Sequence, residues 1–267
     1  MLVKLLMLYL SVALSVAVPV SAGVIRNPVG SAANTLAAND DDSTGAVNLG
    51  FSANLFGVTT DTIYVNNNGN VTFQSALQQW SPDGLSTYVG KPIIAAFFAD
   101  VDTRGTGSGL VTYGTGTITD AARGWSNAPL FSVEWPAVGY FNSHTDRLNT
   151  FEMLLVGRSD IGAGDFDIEL NYGSIQWDQG KADAGYSNGL NGAANVYYQL
   201  PGSMTSGAFL DGGPNALNGS RFDFLVRSGN VGVSDGAGDT PEPASMLLLV
   251  SGGALAALRF RRSKSVG

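Results

Sequence analysis

Short apolar runs separated by turn-forming residues fill the middle of the chain, and they restrict its fold more than any other feature. The 267 residues include 35 glycines, and the sequence Asn-Asn-Asn-Gly-Asn at 66–70 lies between two such runs. Asn-Gly favours a hairpin because both central residues of the turn need positive φ angles. Ten runs are predicted as strands: 46–52, 62–65, 71–73, 93–98, 110–113, 130–135, 149–156, 165–172, 194–199 and 221–226. The pattern predicts an all-β, sandwich-like antiparallel domain.

The run at 165–172 alternates between polar and apolar residues, which is the pattern of a strand with one buried face. Three apolar residues are predicted to point into the core: Phe166, Ile168 and Leu170. The acidic residues between them, Asp165, Asp167 and Glu169, are then predicted to form a solvated face.

The first 22 residues have the composition of a secretory signal peptide, with a predicted signal helix. Lys4 is their only charged residue, an apolar run covers 5–18, and Val-Ser-Ala precedes the predicted cleavage after Ala22. Such segments are removed during export and do not belong to the mature fold. Residues 23–45 are then predicted to form an N-terminal arm.

The chain's last segment, 241–267, has three parts in a fixed order. Pro241, Glu242 and Pro243 form an extended motif, because proline fixes φ and restricts the preceding residue. An apolar run at 246–258 predicts a short hydrophobic helix of about 20 Å, less than the ~30 Å of a bilayer core. A basic tail at 259–264 follows and favours the cytoplasmic side. The Gly-, Ser- and Asp-rich stretch 228–240 is predicted to be a flexible linker.

This order resembles the PEP-CTERM sorting signal of exopolysaccharide-producing Gram-negative bacteria. The resemblance implies that an exosortase-type membrane enzyme is a transient partner and cuts near the motif. It also implies brief anchoring in the inner membrane, followed by release or transfer to the cell surface or the extracellular matrix. Contact with a membrane is then expected only through the C-terminal segment, before processing.

Between the two end segments the chain is strongly acidic and has no cysteine. Residues 23–245 contain nine basic and 22 acidic residues, a net charge of −13. Nucleic acid and anionic membrane surfaces are therefore excluded as partners, since both would repel the domain. Without cysteine, the domain depends on its core alone, and disulfides, thiol nucleophiles and cysteine-based metal sites are excluded.

A second resemblance covers roughly residues 46–226, through fragments that occur in one order. The fragments are 48–52, 63–73, 92–104, 109–113, Trp135 with 138–140, 149–156, 167–172 with 176–177, 185–189 and 200–203. Together they resemble the nidogen-type extracellular (NIDO) domain, which we assign to residues 46–227. The resemblance implies a non-catalytic extracellular module with a role in cell adhesion or in matrix, exopolysaccharide or biofilm association. Extracellular polysaccharide or surface proteins are the expected partners.

Catalytic alternatives rest on few residues. A Ser-His-Asp triad would have to use His144, because it is the only histidine. It lies in a polar stretch, and no nucleophile elbow accompanies it in the sequence. Glu134, Glu152 and Glu169 are available as paired carboxylates, which glycoside hydrolysis needs about 5–10 Å apart. Glu152 lies inside an apolar run, where burial would raise its pKa. An extracellular glycan hydrolase therefore stays open as the alternative function.

Acidic residues after an apolar strand suggest a metal site. Asp100 and Asp102 follow the run 93–98, and side chains at i and i+2 point to the same side of an extended chain. With loop carbonyls they are candidate ligands for Ca²⁺, which takes six to eight oxygens. Arg104 offers the alternative of a salt bridge that orders the loop. A second acidic cluster, at 40–42, is a candidate metal site as well, with a solvated turn as the alternative.

Aromatic residues in or beside polar segments are candidate contacts for sugars, because rings on loops can stack on sugar faces. Six residues are of this kind: Trp80, Trp125, Tyr140, Phe141, Trp177 and Tyr186. The alternative is that most of them cap the ends of the sandwich. Self-association as a purely structural surface protein is a further expectation that the composition allows.

Overall fold

A computed structural model describes residues 24–233, which form thirteen strands in two antiparallel sheets. The strands are β1 (Asn34–Thr35), β2 (Val47–Leu55), β3 (Val58–Asn66), β4 (Asn70–Thr72), β5 (Ile93–Phe98), β6 (Thr112–Asp120), β7 (Trp125–Tyr140), β8 (His144–Gly157), β9 (Phe166–Ser174), β10 (Asp183–Ser187), β11 (Tyr197–Gln199), β12 (Arg221–Arg227) and β13 (Asn230–Val233). The seven-stranded sheet has the order β1-β6-β7-β8-β9-β12-β13, and the six-stranded sheet has the order β11-β10-β5-β4-β3-β2. The helices in this part of the chain are two short 3₁₀ turns, Ala121–Arg123 and Gly192–Ala194. Neither is long or apolar enough to span a bilayer.

The core lies between the two sheets and is rich in aromatic side chains. Trp135 stacks on Phe151 with ring centroids 4.9 Å apart, and Phe97 from the opposite sheet packs against Phe151 at 5.4 Å. Trp177 meets Phe97 edge to face. The indole N–H groups of both tryptophans donate to main-chain oxygens, Trp135 to Asn67 and Trp177 to Val138. The core therefore buries large rings without leaving their polar atoms unsatisfied.

The sequence predicts the all-β fold correctly, and each of the ten predicted runs overlaps a strand. β5 coincides with the prediction, 93–98, and is buried at every position. Three strands were not predicted: β1, β10 and β13. β13 lies in the stretch predicted as a flexible linker, where residues 228–229 form the turn that connects it to β12. The rest of the linker, the signal segment and the sorting segment lie outside the described residues.

The hairpin between β3 and β4 carries the predicted Asn-Gly turn, and its asparagines are buried. Gly69 has φ +76°, and a Cβ at this position would lie 1.8 Å from the carbonyl oxygen of Phe97. Asn66, Asn67 and Asn70 are fully buried. Asn66 donates to Asn70 (2.7 Å), so the buried amides are paired. This turn lies against the loop that follows β5, and it organises one end of the sandwich.

An N-terminal segment, residues 24–33, crosses the outer face of the seven-stranded sheet, and we call it the strap. It passes Gly173 in β9 and reaches β6, where β1 pairs with residues 112–113. A Cβ at Gly114 would lie 1.9 Å from the oxygen of Gly30, and one at Gly116 would lie 2.4 Å from that of Val29. The two glycines are strand positions of β6 that let the strap approach closely.

Candidate functional site

Loops from both sheets meet at one end of the sandwich and enclose a pocket of about 320 Å³. Its lining residues are Asp40, Asp41, Trp80, Asp100, Phe141 and Gln179, and we call it the acidic pocket. Asp100 lies two residues after the end of β5, whereas Phe141 lies in the turn between β7 and β8. A main-chain bond from the N–H of Phe141 to the oxygen of Asp100 (3.1 Å) connects the loops of the two sheets.

Buried asparagines of the β3–β4 hairpin fix the loops that carry the pocket carboxylates. The Nδ2 of Asn67 donates to the main-chain oxygens of Asp40 and Val101, at 2.6 Å each. Asn68 donates through Nδ2 to the Oδ1 of Asp41 (2.9 Å) and accepts from the N–H of Val101 (2.8 Å). The Asn-rich turn therefore sets the distance between Asp41 and Asp100.

The carboxylate of Asp100 faces the pocket without a protein partner in the described part of the chain. The residue is 6% exposed, and its carboxylate has no hydrogen-bond partner among residues 24–233. Burial, together with the negative charges of Asp41 and Asp40, raises the pKa of Asp100 to about 7. Burial also raises the pKa of Asp40, whose Oδ1 is inaccessible to solvent and has no partner among the described residues.

Asp102 is in the opposite situation, although it lies only two residues away. Its carboxylate accepts from the Nε and Nη2 of Arg104 (2.9 and 2.6 Å) and from the N–H of Ser143 (2.7 Å). Burial alone would raise the pKa of Asp102, but these hydrogen bonds lower it to about 2. Arg104 also reaches Asp40 at 2.7 Å. The salt bridge considered for Arg104 is therefore present, and a carboxylate oxygen of Asp100 lies within 4.8 Å of one oxygen each from Asp40 and Asp41. Metal binding by Asp100 and Asp102 stays a prediction.

The six candidate aromatic residues divide into two groups. Trp80 and Phe141 are 57% and 56% exposed, and both line the acidic pocket. The other four, Trp125, Tyr140, Trp177 and Tyr186, are buried. The structure therefore leaves two of the six rings accessible to a ligand, and it brings them to the same place as the unpaired carboxylate of Asp100.

The candidate glutamates lie on the outer face of the seven-stranded sheet, under the strap. Glu134 and Glu152 are directly opposite each other on β7 and β8, and both are buried. The carboxylate of Glu152 accepts from the main-chain N–H groups of Arg26 (3.0 Å) and Asn27 (3.3 Å). Burial raises the pKa of Glu152. Glu169, on β9, is fully buried as well.

Arginines complete this outer face, and the prediction of a solvated acidic face at Asp165, Asp167 and Glu169 is wrong. All three acidic residues are buried. Their neighbours form what we call the charged layer, which contains Glu134, Glu152, Asp167, Glu169 and Asp223 with Arg26, Arg123, Arg158 and Arg227. The arginines come from segments up to 143 residues away, so the alternation within one strand could not reveal them.

Asp167 and Trp125 show how tightly the charged layer is paired. Asp167 accepts from Arg158 (2.9 Å), Arg227 (2.6 Å) and the indole N–H of Trp125 (2.7 Å). Arg26 and Arg123 both lie over the Trp125 ring, at 5.5 and 5.4 Å from its centroid. A cavity of about 430 Å³ opens beside these residues, and the charged groups along it are ion-paired.

His144 begins β8 and stacks on Tyr140 with centroids 5.0 Å apart. Its Nδ1 lies 2.6 Å from the main-chain oxygen of Phe141. In the described part of the chain its hydrogen bond is therefore to the backbone rather than to a serine hydroxyl. The histidine holds the β7–β8 turn that presents Phe141 to the acidic pocket.

Two extracellular animal proteins are similar to the β domain of this chain. The chain is 32% identical to α-tectorin of Mus musculus over 190 residues, which cover 62% of this chain and 9% of the tectorin. It is 29% identical to nidogen of Drosophila melanogaster over 221 residues, which cover 72% of this chain and 14% of the nidogen. The chain thus spans about a tenth of the length of the curated relatives that it matches. No solved structure matches it significantly.

Two family models match the chain, and they confirm both resemblances. The PEP-CTERM protein-sorting motif matches residues 239–263, which implies recognition by an exosortase. With an extracellular type of domain before it, the motif indicates export and a location at the cell surface or outside the cell. The nidogen-like domain matches residues 61–211, more than half of the chain. The chain is therefore a member of the nidogen-like domain family.

Proposed function

We propose that this protein is a non-enzymatic surface module that acts in cell adhesion or in association with the extracellular matrix or exopolysaccharide, as in a biofilm. It holds extracellular polysaccharide at the acidic pocket. The observation that carries the proposal is the position of Trp80 and Phe141, two exposed rings on separate loops beside the carboxylates of the acidic pocket. Rings can stack on sugar faces, while carboxylates accept hydrogen bonds from sugar hydroxyls.

The surroundings of the glutamates favour this proposal over a glycan hydrolase. A hydrolase needs an acid and a base or nucleophile that the substrate can reach. Glu134 and Glu152 are buried, and the strap covers Glu152 with two main-chain N–H donors. Glu169 is held by Arg26 and Arg123. These carboxylates act in the fold instead, where the strap and the arginines use them as anchors.

The two ends of the chain deliver the domain to its place of action. In this proposal residues 1–22 are removed after Ala22, and the linker beyond Val233 presents Pro241, Glu242 and Pro243 to an exosortase. The enzyme is a transient partner, and processing ends the contact of segment 246–258 with the membrane. Polysaccharide or surface proteins are then the lasting partners.

Co-sedimentation with exopolysaccharide from the protein's own source cells tests the proposal. We expect the purified protein to pellet with the polymer, and Trp80→Ala and Phe141→Ala each to weaken binding about 2- to 10-fold, since stacking is worth about 0.5–1.5 kcal/mol. Val89→Ala is the matched control, because Val89 is 61% exposed but precedes β5, at the other end of the sandwich. Equal binding of the polymer by Trp80→Ala and Val89→Ala would contradict the proposal that the acidic pocket holds the polysaccharide. Release of reducing ends that stops in Glu152→Gln would favour the hydrolase.

A further inference from the structure

We infer that Asp40, Asp41 and Asp100 form a site for a divalent cation, with Ca²⁺ as the ion that fits best. One carboxylate oxygen from each residue lies within 4.8 Å of the other two. Two oxygens bound to the same Ca²⁺ at 2.3–2.6 Å lie at most about 5 Å apart. The three side chains are thus close enough to share one ion. This differs from the ligand pair Asp100 and Asp102 that the sequence suggests.

The state of Asp100 is an independent reason to expect a ligand here. More than nine-tenths of the residue is buried, its carboxylate has no hydrogen-bond partner within residues 24–233, and it lines the pocket. Buried carboxylates in proteins are paired, hydrogen-bonded or bound to a metal. Asp102 shows that the same loop can provide such pairing, through Arg104 and Ser143. For Asp100 a bound cation supplies the missing partner.

The chemistry of the pocket selects the type of ion. All three candidate ligands are carboxylate oxygens, and the amide of Gln179 is a further oxygen source on the lining. Hard cations prefer oxygen ligands, whereas zinc and copper sites normally include imidazole or thiolate. Three ligands from two separate loops suit the flexible coordination of Ca²⁺ better than the strict octahedron of Mg²⁺.

The net charge explains how the cation would serve the proposed function. Asp40, Asp41 and Asp100 face one cation, Arg104, which is already bound to Asp102 and Asp40. The pocket without an ion therefore repels an acidic polymer. With Ca²⁺ bound the charge is offset, and free coordination positions are open to polymer carboxylates or hydroxyls. The inference deepens the proposed function by naming the cofactor of the same pocket, but cation binding is measured on the protein alone.

Terbium luminescence on the full exported protein tests the site. Tb³⁺ occupies Ca²⁺ sites and is excited by a nearby indole, and Trp80 lies on the pocket lining. We expect saturable luminescence that Ca²⁺ displaces. At about ten times a dissociation constant of ~1 mM, Ca²⁺ should raise the melting temperature by about 3–6 °C relative to chelator. Trp80→Phe should abolish the luminescence and keep the Ca²⁺-dependent shift in melting temperature.

Two carboxylate variants test whether Ca²⁺ binds at the acidic pocket. Asp100→Asn should weaken Ca²⁺ binding at least about 10-fold. Asp42→Asn is the matched control, because Asp42 adjoins Asp41 but its Oδ1 accepts from Ser43 and Gln78 outside the pocket. Unchanged affinity in Asp100→Asn, or an equal loss in Asp42→Asn, would overturn the site. Ca²⁺ binding without binding of polysaccharide would support this inference and contradict the proposed function. Binding of polysaccharide without binding of Ca²⁺ would support the proposed function and contradict this inference.

Discussion

The charged layer and the acidic pocket use the same residue types in opposite ways. In the charged layer, buried carboxylates meet arginines, so that Glu169 contacts Arg26 and Arg123 while Asp223 contacts Arg123. In the acidic pocket, Asp100 is buried against two further carboxylates and has no such partner in the described chain. The cavity beside the charged layer is the larger of the two, about 430 Å³ against 320 Å³.

The comparison teaches that pairing, rather than burial or cavity size, separates structural carboxylates from candidate binding carboxylates in this domain. A paired buried charge costs stability when its partner is removed, because the remaining charge is left uncompensated. An unpaired buried charge already carries that cost, so removing it should stabilise the fold. Removing one charged side chain is therefore expected to lower the free energy of unfolding in the charged layer and to raise it at Asp100.

The largest effect is expected for Arg123→Ala in the charged layer. Arg123 contacts Asp120, Glu169 and Asp223 and lies over the ring of Trp125. Its removal leaves several buried oxygens without a donor, and we expect the free energy of unfolding to fall by about 3–5 kcal/mol. Urea denaturation followed by tryptophan fluorescence measures the change.

Arg147→Ala is the control for this substitution. Arg147 also pairs with an aspartate, Asp146, and lies over an aromatic ring, Tyr140, but both charged side chains are about half exposed or more. We expect a loss below about 1 kcal/mol. Equal losses in the two arginine variants would show that the charged layer is not the paired structure described above.

Changes of intermediate size in the free energy of unfolding are expected for substitutions of the two aspartates after β5, and the two changes should have opposite signs. Asp102→Asn removes the negative charge that faces Arg104 and one of the two oxygens that accept from Arg104 and Ser143, and it should lower the free energy of unfolding by about 1–3 kcal/mol. Asp100→Asn removes an unpaired buried charge and should raise it by about 1–2 kcal/mol at about pH 8 in chelator. Chemical denaturation of both variants, two residues apart, gives the test. Destabilisation by Asp100→Asn would mean that Asp100 has a partner in solution.

The smallest effect is the pH dependence that Asp100 contributes. Its pKa is raised from 3.8 to about 7, so the folded state holds this proton more tightly than the unfolded state. The wild type should therefore lose stability relative to Asp100→Asn as the pH rises from about 4 to 8, by about 1 kcal/mol in this water-accessible pocket, and the difference should be constant above about pH 8. Asp102, with a pKa near 2, should contribute no slope in that window. Melting curves in chelator across the range provide the measurement, and a flat difference for Asp100 would contradict the expected shift.

The sequence predicts those parts of the fold that are determined by residues close together in the sequence. β5 is apolar at every position and was placed at its observed bounds. The Asn-Gly turn was placed correctly because Gly69 has the positive φ that the turn requires. β13 was missed because its four residues, Asn-Val-Gly-Val, have the composition of the linker and gain strand geometry only by pairing with β12.

The candidate site depends on contacts that local patterns do not contain. The sequence drew attention to Asp100 and to the acidic cluster at 40–42, but it paired Asp100 with Asp102. Asp41 and Asp100 come together because Asn68 bonds to both of their loops. The charged layer was missed for the same reason, since Arg26 and Glu169 are 143 residues apart. The sequence does contain one signal for the charged layer. It is an alternating acidic strand in a chain with few charges, together with arginines in other segments that could pair with it.

The strap also bears on the order in which the domain can be completed. For a chain that is exported from its N-terminal end, Arg26 emerges well before Glu152 and Glu169, which follow it by 126 and 143 residues. Until β8 and β9 have emerged and paired, the strap lacks the carboxylates that bind it, and such distant contacts form slowly. The first part of the domain to reach the outside is therefore among the last to be fixed in place, and the domain matures as a unit only when most of its length has been translocated.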